Sequence, residues 1–181
     1  IIFAVIIKRI QSSSLNCLKQ YTDVDISNWL LILKKETFIH EFWPAQRLIG
    51  DNGVLNGVSA VIQMPTSAGK TKSTELIIRS SFISGRASLA VIVAPFRSLC
   101  REIADSMKES FAGENILVNE LLDVPQLSED DIEFIKFFKG EDALEDAPSH
   151  SIVVSTPEKL VYILRHQPDI AEKIGLLIFD E

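Results

Sequence analysis

The sequence predicts a three-layer α/β domain with a mostly parallel central sheet, preceded by a short helical segment. Short apolar runs of the length of buried strands alternate with longer stretches that suit helices, which is typical of βαβ units. One strand-like run also leads into the segment Met64–Thr71, which contains Gly69-Lys70-Thr71 and is followed by a helix-like stretch. With 181 residues, 46% of them apolar, the chain is long enough to build one buried core.

The composition narrows the functional class. A formal net charge of −7 argues against a strongly basic protein that coats nucleic acid, although it allows a protein that contacts phosphates through a few groups. Cys17 and Cys100 lie far apart, and neither they nor the three histidines have the spacing of metal ligands. We therefore expect reduced thiols in an intracellular protein of the cytoplasm, nucleus or nucleoid.

The first residues are apolar but do not predict a membrane segment. The run Ile1–Ile7 is too short to span a bilayer, and Lys8 and Arg9 follow it, whereas the charge of a secretory signal precedes its apolar part. We expect no membrane partner. Because the sequence has no initiator Met and stops at Glu181 after an apolar run, we also expect it to be part of a longer reading frame.

Residues 1–40 are predicted to form a helical N-terminal segment, followed by a domain that spans residues 41–181. Within this segment a helix is expected between residues 26 and 38, with Asp25 or Ser27 as its cap. The residues expected on one side of that helix are Leu30, Leu33 and Phe38.

Strands and helices alternate in the rest of the chain. The predicted strands are Val58–Ile62, Leu89–Ala94, Ile152–Val154 and Leu176–Phe179, with a weaker candidate at Ile116–Val118. The predicted helices are Pro44–Ile49, Thr71–Ile83, Arg97–Phe111 and Pro157–Arg165. An acidic stretch between Ser128 and Glu145 interrupts this alternation, and its residues 134–138 suit one short amphipathic helix.

The residues after the first predicted strand have the composition of a phosphate-binding loop. Such a loop needs small residues and a helix N-terminus, so that backbone N–H groups and the helix dipole face an anion. It also needs a lysine that reaches the β- and γ-phosphates and a hydroxyl that ligates Mg²⁺. Gly69, Lys70 and Thr71 supply these features in order, although Met64 replaces the first glycine of the general pattern G-x-x-x-x-G-K-[ST]. The residues predicted to bind ATP are Thr66, Ser67, Ala68, Gly69, Lys70 and Thr71, with Lys70 also catalytic.

The last predicted strand ends in the acidic pair Asp180-Glu181. The carboxyl end of a buried strand is where ligands bind in open α/β sheets. In a nucleotide hydrolase Asp180 would hold Mg²⁺ together with Thr71, and Glu181 would act as the catalytic base on the attacking water. Taken separately, the acidic pair also suits ordinary solvated chain, and the Gly-Lys-Thr sequence suits an ordinary turn before a helix.

Four motifs, in the expected order, resemble those of superfamily 2 (DExD/H-box) helicases. The Thr-Ser-Ala sequence in the first motif resembles that of the Ski2-like branch of this superfamily. Pro65–Thr71 resembles motif I, Val93–Glu102 resembles motif Ia, Val154–Leu160 resembles motif Ib, and Ile178–Glu181 resembles the start of motif II. The resemblance covers about two thirds of the chain and implies the first RecA-like domain of an ATP-dependent helicase or translocase. It also implies ATP and Mg²⁺ as cofactors and DNA or RNA, single-stranded or partly duplex, as partner.

The resemblance assigns further site residues. Gln46 resembles the upstream glutamine that reads the adenine edge, since an amide can pair with both N7 and N6 of adenine. The residues implied to contact a nucleic-acid backbone are Pro95 and Arg97 of motif Ia, and Thr156, Pro157 and Lys159 of motif Ib. A surface glutamine and ordinary helix caps are the alternatives at these positions.

The resemblance also implies that a second RecA-like domain in the same parent chain supplies an arginine finger. We therefore expect residues 1–181 alone to be inactive. Two other interpretations stay open: another phosphate-loop enzyme, such as a nucleotide kinase or an ABC-type ATPase, and a degenerate helicase domain that serves as a scaffold. The sequence shows no ABC signature motif between the two nucleotide motifs, which argues against an ABC-type ATPase. The degenerate scaffold is favoured only by Met64 and the acidic stretch.

Overall fold

The computed structural model describes residues 1–65, 67–121 and 148–180. They form two compact units, Ile1–Arg86 and Ala87–Glu181, which are described separately below. The predicted boundary at residue 40 falls inside the first unit. The short helix expected at residues 134–138 lies outside the described residues.

The described part of the first unit is helical. Its helices are α1 (Ile2–Ser12), α2 (Ser14–Tyr21), α3 (Leu30–Leu33), α4 (Pro44–Asp51) and α5 (Lys70–Ile83), with short 3₁₀ helices at Ile26–Trp29 and Val54–Asn56. The predicted helices at Pro44–Ile49 and Thr71–Ile83 are confirmed to within two residues at each end. Proline at the first position of α4 fits its fixed φ and its missing N–H.

The N-terminal helices and the later helices of this unit share one core. Leu18 of α2, Trp29, Phe38 and Leu76 of α5 are buried in the same apolar cluster. Helix α1 differs, because its apolar side chains are mostly exposed; Phe3, for example, is 82% exposed. The segment before residue 40 is therefore held to the rest of the unit by α2 and the residues that follow it.

The helix predicted between residues 26 and 38 is shorter than expected and buries a different side. Asp25 is its cap, since the Ser27 N–H donates to Asp25 Oδ1 at 2.8 Å, and the hydrogen bonds from Ser27 lower the pKa of that carboxyl. The prediction for Leu30 was wrong: it is 48% exposed, whereas Trp29 and Ile32 are buried. A 3₁₀ turn has three residues per turn and so rotates the buried side away from the position that a period of 3.6 predicts.

The strand predicted at Val58–Ile62 is absent from the described residues. Val58 is 54% exposed and Val61 is fully exposed, although both belong to an apolar run. A strand is stabilised by hydrogen bonds to a neighbouring strand and by side chains packed on that neighbour, neither of which an apolar run supplies by itself.

The second unit is an α/β layer structure. Its described elements are β1 (Leu89–Val93), α6 (Arg97–Ser110), β2 (Ile116–Leu121), β3 (His150–Ser155), α7 (Pro157–His166), α8 (Asp169–Lys173) and β4 (Ile174–Phe179). The four described strands form one parallel sheet in the order β2-β3-β1-β4. This arrangement confirms the predicted α/β class with a parallel sheet, flanked by helices.

Strand β1 lies between two neighbours, and all five of its residues are buried. On one face Val91 packs in a cluster with Ile163 of α7 and Ile170 of α8, while α6 packs against β2 and β3.

Cys17 in the first unit and Cys100 on α6 are buried free thiols, and burial raises the pKa of both. Among the described residues, no helix has the length and apolar character needed to cross a membrane.

Candidate functional site

The predicted phosphate loop ends in a glycine whose backbone conformation suits it. Gly69 precedes α5 with a φ of 85°, in the left-handed region that residues with a Cβ avoid. Before it, the Ala68 N–H closes a turn on the Pro65 carbonyl at 3.0 Å, and after it the Ser73 N–H donates to the Gly69 carbonyl at 2.9 Å. The N-cap residue Gly69 has no side chain to cap α5, and the N-terminus of a helix suits an anion.

The other loop residues differ in exposure. Ser67 and Thr71 are exposed, while Ala68 and Lys70 are half-buried. Thr66 lies outside the described residues, as does Glu181.

Gln46 lies beside this loop. Its side chain, on the first turn of α4, is 2% exposed, and its Oε1 accepts a hydrogen bond from the Trp43 N–H at 2.8 Å. A Cβ built on Gly69 would lie 2.9 Å from Gln46 Nε2. The structure thus brings the predicted adenine-reading glutamine together with the glycine of the phosphate loop. Because a carbonyl oxygen has two lone pairs, Oε1 retains one for a further donor.

A cavity of about 320 Å³ opens at this place, within the usual size range of small-molecule sites. It is lined by Thr37, Phe38, Ile39, His40, Glu41, Trp43, Gln46, Gly69 and Lys72. Trp43 is 53% exposed and presents an aromatic surface at the cavity. The sequence analysis did not identify residues 37–41 or Lys72 as site residues, since no motif or spacing marks them and only the packing of the first unit brings them here.

The residues at this site fit a nucleotide and its cation. Gly69 leaves room beside Gln46 that any side chain would fill, and α5 supplies amides for a phosphate. Mg²⁺ prefers oxygen ligands and keeps several waters and phosphate oxygens, so one or two protein oxygens suffice. The described residues contain no group of three or more metal-ligating side chains. In the first unit, the Thr71 side chain at the start of α5 is the hydroxyl predicted for the cation.

In the second unit, three parallel strands end at one edge of the sheet. Val93 of β1 pairs with Ser155 of β3 and with Phe179 of β4. Beyond the strands, the Asp180 N–H donates to the Val93 carbonyl at 2.8 Å, and the Ala94 N–H donates to the Ser155 carbonyl at 3.1 Å. The register therefore places Asp180 at the same edge as the starts of α6 and α7. Its approach to the phosphate loop stays a prediction.

The candidate nucleic-acid residues follow β1 and β3 at this edge. Pro95 is half-buried and Arg97, the first residue of α6, is exposed. Thr156 caps α7, as expected, because its Oγ1 accepts from the Lys159 N–H at 3.4 Å, and Pro157 occupies the first helical position. Two neighbouring helix N-termini thus open at one edge.

Lys159 is placed differently from a surface contact. Its side chain is 0% exposed, and its ammonium lies 5.9 Å from the centroid of the Tyr162 ring. A fully buried ammonium cannot present its charge to a phosphate backbone without leaving these contacts. Contact of Lys159 with a nucleic-acid backbone stays a prediction, and it would require this side chain to move.

Comparison with known proteins places the chain in a family. Residues 43–181 match the DEAD/DEAH box helicase family. The Hachiman protein HamB of Bacillus cereus is 32% identical over 149 residues, which cover 82% of this chain and 12% of that protein. The ATP-dependent DNA helicase Hel308 of Pyrococcus abyssi is 23% identical over 159 residues, covering 88% and 20%, and that of Thermococcus kodakarensis is 26% identical over 148 residues, covering 81% and 12%.

The chain thus spans 12% to 20% of the length of these relatives. The family match covers more than half of the chain and includes the phosphate loop, the parallel sheet and the residues at its carboxyl edge. The chain belongs to the DEAD/DEAH box helicase family.

Proposed function

We propose that this chain is the ATP-binding part of an ATP-dependent DNA helicase or translocase of the Ski2-like group. The observation that carries the proposal is the meeting of Gly69 and Gln46 at one cavity, where a phosphate loop and an amide suited to adenine lie side by side. If the Gly-Lys-Thr sequence were only a turn before a helix, its position beside a buried glutamine and an aromatic surface would not be expected.

In the first unit, Lys70 binds the β- and γ-phosphates and the first-turn amides of α5 bind the phosphate oxygens between them. The Gln46 amide hydrogen-bonds to the adenine edge, with its Oε1 already oriented by the Trp43 N–H. The Trp43 ring packs on the base. Bound Mg²⁺ would neutralise charge on the β- and γ-phosphates.

In the second unit, Asp180 would hold Mg²⁺ through its carboxylate, and Glu181 would act as the base that orients and deprotonates the attacking water. Arg97 and the amide groups at the starts of α6 and α7 bind the phosphate backbone of a single strand. DNA is proposed as that strand because the Hel308 relatives are named ATP-dependent DNA helicases. An intracellular location follows from such a substrate.

A second RecA-like domain of the parent chain completes the catalytic site with an arginine finger. Such a finger contributes roughly 10³–10⁵-fold to the rate of related nucleotide hydrolases. Residues 1–181 alone are therefore expected to bind ATP weakly and to hydrolyse it negligibly.

Calorimetric titration of the chain with ATP and Mg²⁺ tests the proposal. Wild type should bind ATP, Lys70→Ala should lose detectable binding, and Gln46→Ala should weaken it about three- to tenfold, the value of one hydrogen bond. Lys108→Ala is a matched control, since this lysine lies on α6, has a half-exposed side chain and does not line the cavity. Equal ATP affinity in wild type and Lys70→Ala would refute the assignment of the phosphate loop.

Fluorescence anisotropy with a labelled single strand tests the second unit. Arg97→Ala should weaken binding of single-stranded DNA and reduce its dependence on salt, because one phosphate contact is lost. Stronger binding of RNA than of DNA would show that RNA is the substrate, and the assignment of the ATP site would not change.

A further inference from the structure

The wall of the nucleotide cavity is made largely by a segment without helix or strand. Residues 37–43, here called the wall segment, contribute most of the residues that line the cavity. A segment of this kind needs contacts from its neighbours to keep one conformation, because fixing each residue costs about 1–2 kcal/mol of backbone entropy.

Helix α5, which begins at the phosphate loop, carries a row of three charged side chains, two of which are buried. Glu75 is 1% exposed; its Oε2 accepts from Lys72 Nζ at 2.8 Å and its Oε1 accepts from Arg79 Nε at 2.9 Å. Arg79 is also 1% exposed. The three residues are spaced by three and four positions, so they lie along one side of the helix.

Both ends of this row reach the wall segment. Lys72 Nζ donates a second hydrogen bond, at 2.8 Å, to the carbonyl of Thr37. The guanidinium carbon of Arg79 lies 5.8 Å from the centroid of the Phe38 ring, within the range of a cation–π contact. Glu75 connects the two cations and so fixes the positions from which each of them holds the wall.

The remaining part of the wall segment is held by the N-terminal residues. The Ser14 N–H donates to the His40 carbonyl at 3.0 Å, and the Phe42 N–H donates to the Ser12 carbonyl at 2.7 Å. The segment is thus anchored on one side to the helix that follows the phosphate loop and on the other to the junction of α1 and α2.

Stability alone does not account for the charged row. Replacing a buried ion pair by apolar side chains of similar size is often neutral or stabilising, whereas fixed charges hold particular groups at particular positions. Here the positions held are Thr37 and Phe38, which line the cavity beside Gln46.

We propose that Glu75 is a positioning residue for base recognition, which acts through Lys72 and Arg79 to hold the wall segment at the distance that adenine requires. This inference rests on the proposed function, since it assumes that a nucleotide base enters this cavity. It concerns the choice of base, so it separates affinity for adenine from affinity for the phosphates.

Three ligands distinguish these contributions: ATP, GTP and inorganic tripolyphosphate, each titrated into the chain with Mg²⁺. The variants are Glu75→Gln, which weakens both ion pairs, Lys72→Met, which removes the bond to Thr37, and Lys72→Arg, which can restore a donor there. We expect Glu75→Gln and Lys72→Met to lower ATP affinity roughly tenfold, which corresponds to the loss of one charged hydrogen bond. The ratio of ATP affinity to GTP affinity should fall by the same factor. Tripolyphosphate affinity should not change, and Lys72→Arg should recover most of the ATP affinity.

Lys72→Met keeps the proposal testable if Glu75→Gln does not fold, because the Lys72 side chain is 37% exposed and circular dichroism can verify its fold. Lys108→Met is the matched control, a helical lysine paired with Asp105 three residues away. An unchanged ratio of ATP to GTP affinity in both variants would overturn the positioning role while the proposed function stands. An equal loss of tripolyphosphate affinity would also overturn it, since Lys72 would then act on the phosphates. Wild type that binds none of the three ligands would refute the proposed function itself.

Discussion

Substitution of Gly69 by alanine tests the geometry of the phosphate loop most directly. Gly69 has a φ of 85°, and an added Cβ would lie 2.9 Å from Nε2 of the buried Gln46. The left-handed conformation costs a residue with a Cβ about 1–2 kcal/mol. Moving Gln46 aside also disturbs its bond from the Trp43 N–H, worth about 1 kcal/mol.

Gly85 provides the matched control, because it lies in the same unit, just after α5. Its φ is 71°, and an added Cβ would meet nothing within 4 Å. Gly85→Ala should therefore lower the free energy of unfolding by about 1–2 kcal/mol, and Gly69→Ala by about 2–3 kcal/mol, because only Gly69 adds the contact with Gln46.

Urea denaturation followed by circular dichroism measures this difference, and calorimetry measures ATP binding by the same samples. Gly69→Ala should bind ATP at least tenfold more weakly than wild type, while Gly85→Ala should bind it normally. Equal destabilisation in the two variants, with ATP affinity unchanged in both, would refute the close approach of Gly69 and Gln46.

Two further variants test the packing around the site. Thr156→Ala should lower the stability of the second unit by about 1 kcal/mol and weaken binding of single-stranded DNA, because it removes the cap of α7. Thr156→Ser keeps a hydroxyl and should retain both the stability and the DNA binding. Equal stability of the two variants in urea denaturation would exclude the cap. Gly50→Ala should destabilise the first unit by about 1–3 kcal/mol, since the added Cβ would lie 2.5 Å from Cδ2 of the buried Tyr21. A melting temperature equal to that of wild type would show that α2 and α4 pack less closely than this distance requires.

Features that depend on local pattern were predicted well from the sequence. Helix α5 was expected to end at Ile83 and does so, and β1 was expected to begin at Leu89 and does so. Thr156 and Pro157 were recognised as a helix start because the cap hydroxyl and the fixed φ of proline act within a few residues. Gly69 was expected between a loop and a helix, and its φ of 85° is one that glycine adopts readily.

Features that depend on tertiary contacts were not predicted. The run Val58–Ile62 has the pattern of a buried strand, but pairing with a neighbour, which the pattern does not encode, decides whether a strand forms. The side of the segment around Trp29 that becomes buried depends on a 3₁₀ turn. The contacts of the wall segment with Lys72 and Arg79 have no local signature, because the bond from Lys72 to Thr37, for example, joins residues far apart in sequence.

Methionine at position 64 was the clearest departure from the phosphate-loop pattern, and one of only two features that favoured a degenerate scaffold. The conformational demands of the loop fall on later residues: the turn is closed between Pro65 and Ala68, and the left-handed position is Gly69. Met64 precedes the turn, is half-buried and does not line the cavity beside Gln46. Methionine at this position is therefore compatible with the proposed phosphate site at the start of α5 and with the cavity beside Gln46, and it does not by itself favour loss of nucleotide binding.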